Sequence, residues 1–219
     1  MKKLVLAVTS FLFAVSVQAT NLTEGKQYVT LNQAPVQQAE VIEFFSFYCP
    51  HCYSFEYEYQ IPNKVKQQLP EGVSLKQYHV NFLGGEMGKN LTRAWALAMA
   101  TGVQDKVKEP LFFAAQQNKL RSMDDIRQIF LANGLNAEQF DGGINSFAVT
   151  ALTNKQVTAA EHMKVRGVPD FYVNGRYRVN PEGLKNDSHE AFVADYVETV
   201  KGLLQKYQKI GLMLRFLNE

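Results

Sequence analysis

Cysteine is nearly absent. The 219 residues hold two, Cys49 and Cys52, three positions apart. A disulfide-stapled scaffold is thereby excluded, because a bond closing so short a loop is worth about 2 kcal/mol on a chain-entropy estimate, against about 3 for a fifteen-residue loop. Histidine is scarce as well. His51, His79, His162 and His189 never fall three to five residues apart, so with one thiol pair the chain has no four-ligand zinc pattern. An excess of one charge is also missing: 23 basic against 21 acidic residues give +2, and no basic stripe argues for nucleic acid. No apolar run reaches the roughly 20 residues that a spanning helix needs. No internal repeat or low-complexity linker divides the chain.

What is present begins with a leader pattern. Met1-Lys2-Lys3 precede an apolar segment from Leu4 to about Val15, and Val17-Gln18-Ala19 puts small side chains where a signal peptidase reads. We expect a signal peptide over residues 1–19, cleaved after Ala19. Removing Lys2 and Lys3 takes the balance from 23 and 21 to 21 and 21, net zero. The remaining length suits one domain with a sizeable insertion.

The stretch that organises the rest runs from Val41 to Cys52. Val41-Ile42-Glu43-Phe44-Phe45 reads as a buried strand, and Cys49-Pro50-His51-Cys52 opens a helix. Pro50 lacks an amide hydrogen and has a preset φ, so it suits the first helical position, with Cys49 as N-cap. There the unpaired amides and the positive end of the helix dipole favour a thiolate, and a charged His51 adds to the effect. The spacing therefore points to a redox pair with an acidic Cys49.

Around this stretch, Gln27–Leu31 reads as an edge strand, and the segment through Pro35 as a surface connection. The helix after Cys52 should break near Tyr59, because Pro62 interrupts it. Val73 to Val80 forms a second strand, and strand, helix, strand implies a right-handed crossover between parallel neighbours. Phe82–Gly88 carries three glycines but not the lysine and hydroxyl of a phosphate-binding loop, and reads as a flexible connector. Residues 82–156 are expected as an all-helical insertion, with capping boxes at Ser122/Asp125 and Asn136/Gln139 and with Trp95 in its core. It splits a domain made of residues 20–81 and 157–219. In the second part a helix from Val157 to about Lys164 leads to Val168-Pro169. Asn174-Gly175 then signals a type I′ hairpin at the sheet edge, and a helix opened by Asp187 and Glu190 runs to about Lys209. The tail through Leu217 extends beyond it.

This order of elements is that of a thioredoxin fold. Over nearly the whole mature chain it resembles the DsbA family of periplasmic thiol oxidants. The resemblance rests on Glu43-Phe44-Phe45-Ser46-Phe47, Cys49-Pro50-His51-Cys52-Tyr53, Leu69-Pro70-Glu71-Gly72-Val73, Tyr78-His79-Val80-Asn81-Phe82, Arg166-Gly167-Val168-Pro169 and Val173-Asn174-Gly175. It implies an α/β thioredoxin fold with an inserted helical domain, and a dithiol oxidase. Cys49 would be the nucleophile and Cys52 its buried partner. Val168-Pro169 would be a cis peptide beside the disulfide, with residue 168 available to an extended client strand. Glu43 would be a buried carboxylate exchanging protons near Cys52.

The resemblance further implies no cofactor beyond the Cys49–Cys52 disulfide, reduced exported proteins as clients, reoxidation by a DsbB-like membrane quinone reductase, and a monomer. A disulfide isomerase or reductase and a non-enzymatic exported chaperone are the competing functions. The pattern departs at Gln77, where the family often has lysine near the carboxylate, although Lys76 is adjacent. Asp170 also departs, as a charge that could moderate the acidity of Cys49.

Overall fold

The computed structural model describes residues 21–33, 36 and 38–216, with side chains through Tyr207. The leader at 1–19 with its cleavage point at Ala19, Pro35, and the end of the tail at Leu217 lie outside the described residues.

Five strands form one mixed sheet in the order β1-β5-β4-β2-β3: β1 Tyr28–Thr30, β2 Glu40–Phe45, β3 Ser74–His79, β4 Asp170–Val173 and β5 Tyr177–Val179. β2 is the strand predicted from its aromatic and β-branched run. It lies parallel to β3, from Glu40 opposite Ser74 to Phe45 opposite His79, and antiparallel to β4, from Val41 opposite Val173 to Phe44 opposite Asp170. Paired on both sides, it is buried from Val41 through Phe45. Alternation sends Val41 and Glu43 to one face and Ile42 and Phe44 to the other.

The β4–β5 hairpin turns through Asn174 and Gly175, both at positive φ (54° and 63°), as a type I′ turn requires. It is not the sheet edge, as the sequence suggested. β1 pairs antiparallel with β5 and closes that side, because its Tyr28 is a core residue packed edge-on to Tyr177 at 5.6 Å.

The helix opened by the thiols is α1, Pro50–Tyr53. It continues as a π-helical turn over Ser54–Glu58 and restarts as α2, Ile61–Gln67, after Gln60 in the left-handed region. Pro62 sits in the first turn of α2, so the break falls where the proline predicts it. Between β3 and β4 run α3 Gly85–Thr101, α4 Gln104–Gln116, α5 Met123–Ala132, α6 Ala137–Gly143 and α7 Phe147–His162. Both capping boxes form, at Ser122/Asp125 and Asn136/Gln139.

Three expectations need correction. The glycine-rich connector is shorter than Phe82–Gly88, because α3 starts at Gly85 and Gly88 lies buried within it. Gly84, at φ +81°, lets the chain turn against the ring of Tyr48, where any Cβ would lie 2.2 Å from Tyr48 Cδ2. The helix expected from Val157 is the second half of α7, which runs unbroken through 156 and 157 because nothing there interrupts its hydrogen bonds. The last helix, α8 His189–Phe216, is capped by Ser188 rather than Asp187: Ser188 Oγ accepts from the Ala191 amide at 3.1 Å. It also runs past Lys209, so the tail lengthens the helix. Among the described residues no helix is long and apolar enough to cross a membrane.

Apolar side chains gather into three clusters. One face of the sheet packs Val41, Phe171 and Val173 against Val65 of α2 and Tyr196, Val200 and Leu203 of α8. The other packs Ile42, Phe44, Tyr78 and Tyr172 with Met163. The third joins the inserted helices to the active-site strand and gathers Phe45, Phe47, Trp95 and Phe112 into one cluster with both cysteines. Trp95 is fully buried there, its Nε1 donating to the Gln77 carbonyl at 2.8 Å.

Candidate active site

Cys49 is the N-cap of α1 with an extended backbone (φ −94°, ψ 113°), and Pro50 takes the first helical position. Pro50 and His51 are exposed, while Cys49 and Cys52 are 7% and 1% exposed. Both cysteines are free thiols. The Cys52 amide donates to Cys49 Sγ at 3.3 Å, and the Cys49 thiol donates to the Val168 carbonyl at 3.2 Å. Val168–Pro169 is a cis peptide. Four of the residues singled out from the sequence thus meet at one point, although 119 positions separate Cys49 from Val168.

The two sulfurs differ in acidity. Cys49 is lowered to about 6, chiefly by the hydrogen bond from the Cys52 thiol. Burial opposes this, while the Cys52 and His51 amides and then the charge of His51 add to it. Backbone amides and His51 were the donors legible in the sequence; the larger contribution comes from Cys52. Cys52 itself is pushed far up, first by burial and then by its bond to Cys49, with the charge of Glu43 a smaller cause in the same direction. One sulfur is built to carry charge and the other to stay protonated.

Glu43 is buried beneath them at 1% exposure and raised to about 8, first by burial and then by the nearby charge of Glu56. Gln77 Nε2 donates to Glu43 Oε2 at 2.7 Å and to Glu56 Oε2 at 2.8 Å. Lys76, adjacent to Gln77, pairs with Glu40 instead. The ammonium in this network is that of Lys108 in α4, which donates to Glu56 Oε1 at 2.9 Å and to Gln77 Oε1 at 2.8 Å. Sequence reasoning missed Glu56 and Lys108. A signal existed for Lys108, because it falls inside the apolar stripe Val107, Leu111, Phe112 and Ala115 of its helix.

Asp170 does not act on Cys49 as its position in the sequence suggested. Its side chain is buried, bound by Arg178 Nε at 2.9 Å to both oxygens and by the Tyr172 hydroxyl at 2.9 Å. Its charge is spent on Arg178, and it is not among the causes that shift Cys49.

The loop that delivers Cys49 is held by polar side chains of other elements. His79, at the end of β3, is pushed down to about 3 by burial and is therefore neutral. Its Nε2 accepts from the Phe47 amide at 3.2 Å, and its Nδ1 bonds Thr92 Oγ1 at 2.9 Å, which fixes the tautomer with the proton on Nδ1. Gln116 of α4 donates to the Phe47 carbonyl at 2.8 Å, and Gln156 of α7 accepts from the His79 amide at 2.9 Å. The pairings with Thr92, Gln116 and Gln156 cross the boundary between sheet and inserted helices.

An N-capping acidic thiol, a buried proton-holding partner thiol and a cis-proline facing them, on a thioredoxin sheet, define a thiol:disulfide oxidoreductase. The model of the DSBA-like thioredoxin domain matches residues 40–204. The chain belongs to that family.

It is 66% identical over 209 residues to the thiol:disulfide interchange protein DsbA of Haemophilus influenzae, covering 94% of this chain and all of that protein. To the Escherichia coli K12 protein of the same name it is 47% identical over 207 residues, with 94% and 100% covered. Among solved structures, Proteus mirabilis DsbA superposes with a TM-score of 0.79 at 42% identity, covering 84% of this chain and 98% of that one. A cysteine-to-serine variant of it, with the non-covalently bound peptide PWATCDS, superposes at 0.81 with 40% identity, covering 85% and 100%.

Proposed function

We propose that this protein is an oxidant that donates the Cys49–Cys52 disulfide to reduced exported proteins. A client thiolate attacks Cys49 Sγ, the Cys49–Cys52 bond breaks, and Cys52 leaves with the electron pair and takes up a proton. A second client thiolate then attacks the client sulfur of the mixed disulfide and Cys49 leaves as a thiolate, so the client is oxidised and the enzyme is left as the dithiol. Because Cys49 is stable as an anion, it is a good leaving group and the reduced enzyme is favoured, which makes the disulfide oxidising. Glu43, holding a proton up to about pH 8 beside Cys52, is the group that supplies it. The cis Val168–Pro169 peptide gives an extended client segment backbone to lie against. The Proteus mirabilis variant holds the peptide PWATCDS non-covalently, which supports a cysteine-containing peptide as client.

The protein works in the periplasm as a monomer, after cleavage at Ala19, and a DsbB-like membrane quinone reductase takes the two electrons from the dithiol. No cofactor besides the Cys49–Cys52 pair is needed for this cycle.

The observation that carries the reading is the placement of Cys49 as N-cap of α1, its sulfur accepting from the Cys52 amide at 3.3 Å and lying 3.2 Å from the carbonyl of the cis Val168–Pro169 peptide. The test is the equilibrium of the Cys49–Cys52 pair against glutathione. We expect reduced glutathione at millimolar concentration to convert the protein to its dithiol. A disulfide that persists under those conditions would show a reductant instead.

A further inference from the structure

Lys108 is an ammonium at 7% exposure on an inserted helix, and it is shared between one carboxylate and one amide. Its hold on Gln77 Oε1 leaves the Gln77 amide only its nitrogen to turn toward the acids, and that nitrogen reaches Glu43 and Glu56 together. Two acids and one base occupy the same site, Glu43 and Lys108 buried and Glu56 half-buried. The 2.9 Å pair of Lys108 with Glu56 is neutral, so Glu43 has no cation of its own and holds a proton instead.

We propose that Lys108 is a positioning residue of the redox reaction: by pairing with Glu56 and orienting Gln77, it sets how tightly Glu43 keeps the proton that Glu43 exchanges with Cys52. This rests on the reading of Glu43 as proton carrier. The titratable and charged groups facing Glu43 are Cys52 on α1, Glu56 on the π-helical turn, Lys108 on α4 and Tyr196 on α8. When the Cys49–Cys52 bond breaks, the electron pair on Cys52 takes the Glu43 proton and the negative charge passes to the carboxylate, in the field of Lys108. The proton returns to Glu43 during reoxidation, when Cys52 attacks the Cys49 sulfur of a mixed disulfide with the membrane partner and the partner's thiolate leaves with the two electrons.

The test uses two variants of the mature chain that break the same ion pair but remove opposite charges, Lys108→Met and Glu56→Gln. The Glu43 carboxyl carbon is titrated by NMR in the dithiol protein, the form in which both thiols are free, and the rate of oxidation of a reduced two-cysteine peptide is measured across pH. From a native midpoint near 8, Lys108→Met should move it up and Glu56→Gln down, each by about one pH unit, with the rate profile following. Lys108→Met/Gln77→Lys, which puts the ammonium where the amide was, should return both readouts toward native and keeps a cation in the site if Lys108→Met alone does not fold. Lost packing alone moves both single variants the same way. A Glu43 midpoint that stays put, or shifts in one direction in both, overturns the role of Lys108. Opposite shifts that the rate profile ignores overturn instead the reading of Glu43 on which the proposal stands.

Discussion

Replacing Glu43 by glutamine should stabilise the reduced protein, in which both thiols are free, and by an amount that depends on pH. An ordinary glutamate ionises near 4.5, whereas the folded Glu43 keeps its proton to about 8. Between those values the folded state binds a proton that the unfolded state has lost. Each pH unit therefore favours unfolding by about 1.4 kcal/mol. At pH 7 the accumulated penalty is about 3 kcal/mol, and below pH 4 it vanishes because both states are protonated. Glutamine is neutral at every pH, has nearly the same shape, and stays within reach of Gln77. The Glu43→Gln variant should thus match the parent in guanidinium unfolding at pH 4 and exceed it by about 3 kcal/mol at pH 7. A gap that is constant from pH 4 to pH 8 would refute the argument, since a mere change of packing has no reason to follow the titration of a carboxyl.

Two further outcomes follow from the same geometry. Thiolate absorbance in the reduced protein should rise with a midpoint near pH 6, and because the folded pKa lies below the ordinary 9.0, the dithiol form should gain stability as pH rises from 6 toward 9 and lose it as pH falls through 6; absorbance appearing only near pH 8.5 would defeat this. Gly84→Ala should cost more than about 2 kcal/mol in thermal or denaturant unfolding, because a positive φ and a contact of 2.2 Å with the Tyr48 ring coincide there, and a fully stable variant would contradict the close approach.

Much of this molecule could be read before its structure. The Val41–Phe45 strand, the placement of Cys49 and Pro50 at a helix start, both capping boxes and the Asn174-Gly175 turn are local signals, each decided by residues within a few positions. The errors share a cause. Nothing local says that Tyr28 buries itself against Tyr177 and so extends the sheet past the hairpin, and α7 runs unbroken although its two halves pack into different clusters. In the site, the thiols and the cis-proline carry short motifs. Lys108, Gln116 and Gln156 do not, since each acts on a backbone or side chain in a different element, and only Lys108, a charge in an apolar stripe, left a trace in its own helix.

The inserted helices touch the loop before Cys49 at its backbone. Gln116 holds the Phe47 carbonyl and Gln156 the His79 amide, while His79 in turn holds the Phe47 amide. A chain shortened to the bare thioredoxin sheet by removing residues 85–162 would keep all five strands. It would also leave the Phe47 carbonyl and the His79 amide without their partners and take the Thr92 hydroxyl from the His79 ring, so the nucleophile would lose the suspension that fixes its approach. The helical segment is therefore not an exchangeable appendage for client selection: transplanting another in its place would require the same two glutamines at the same two depths.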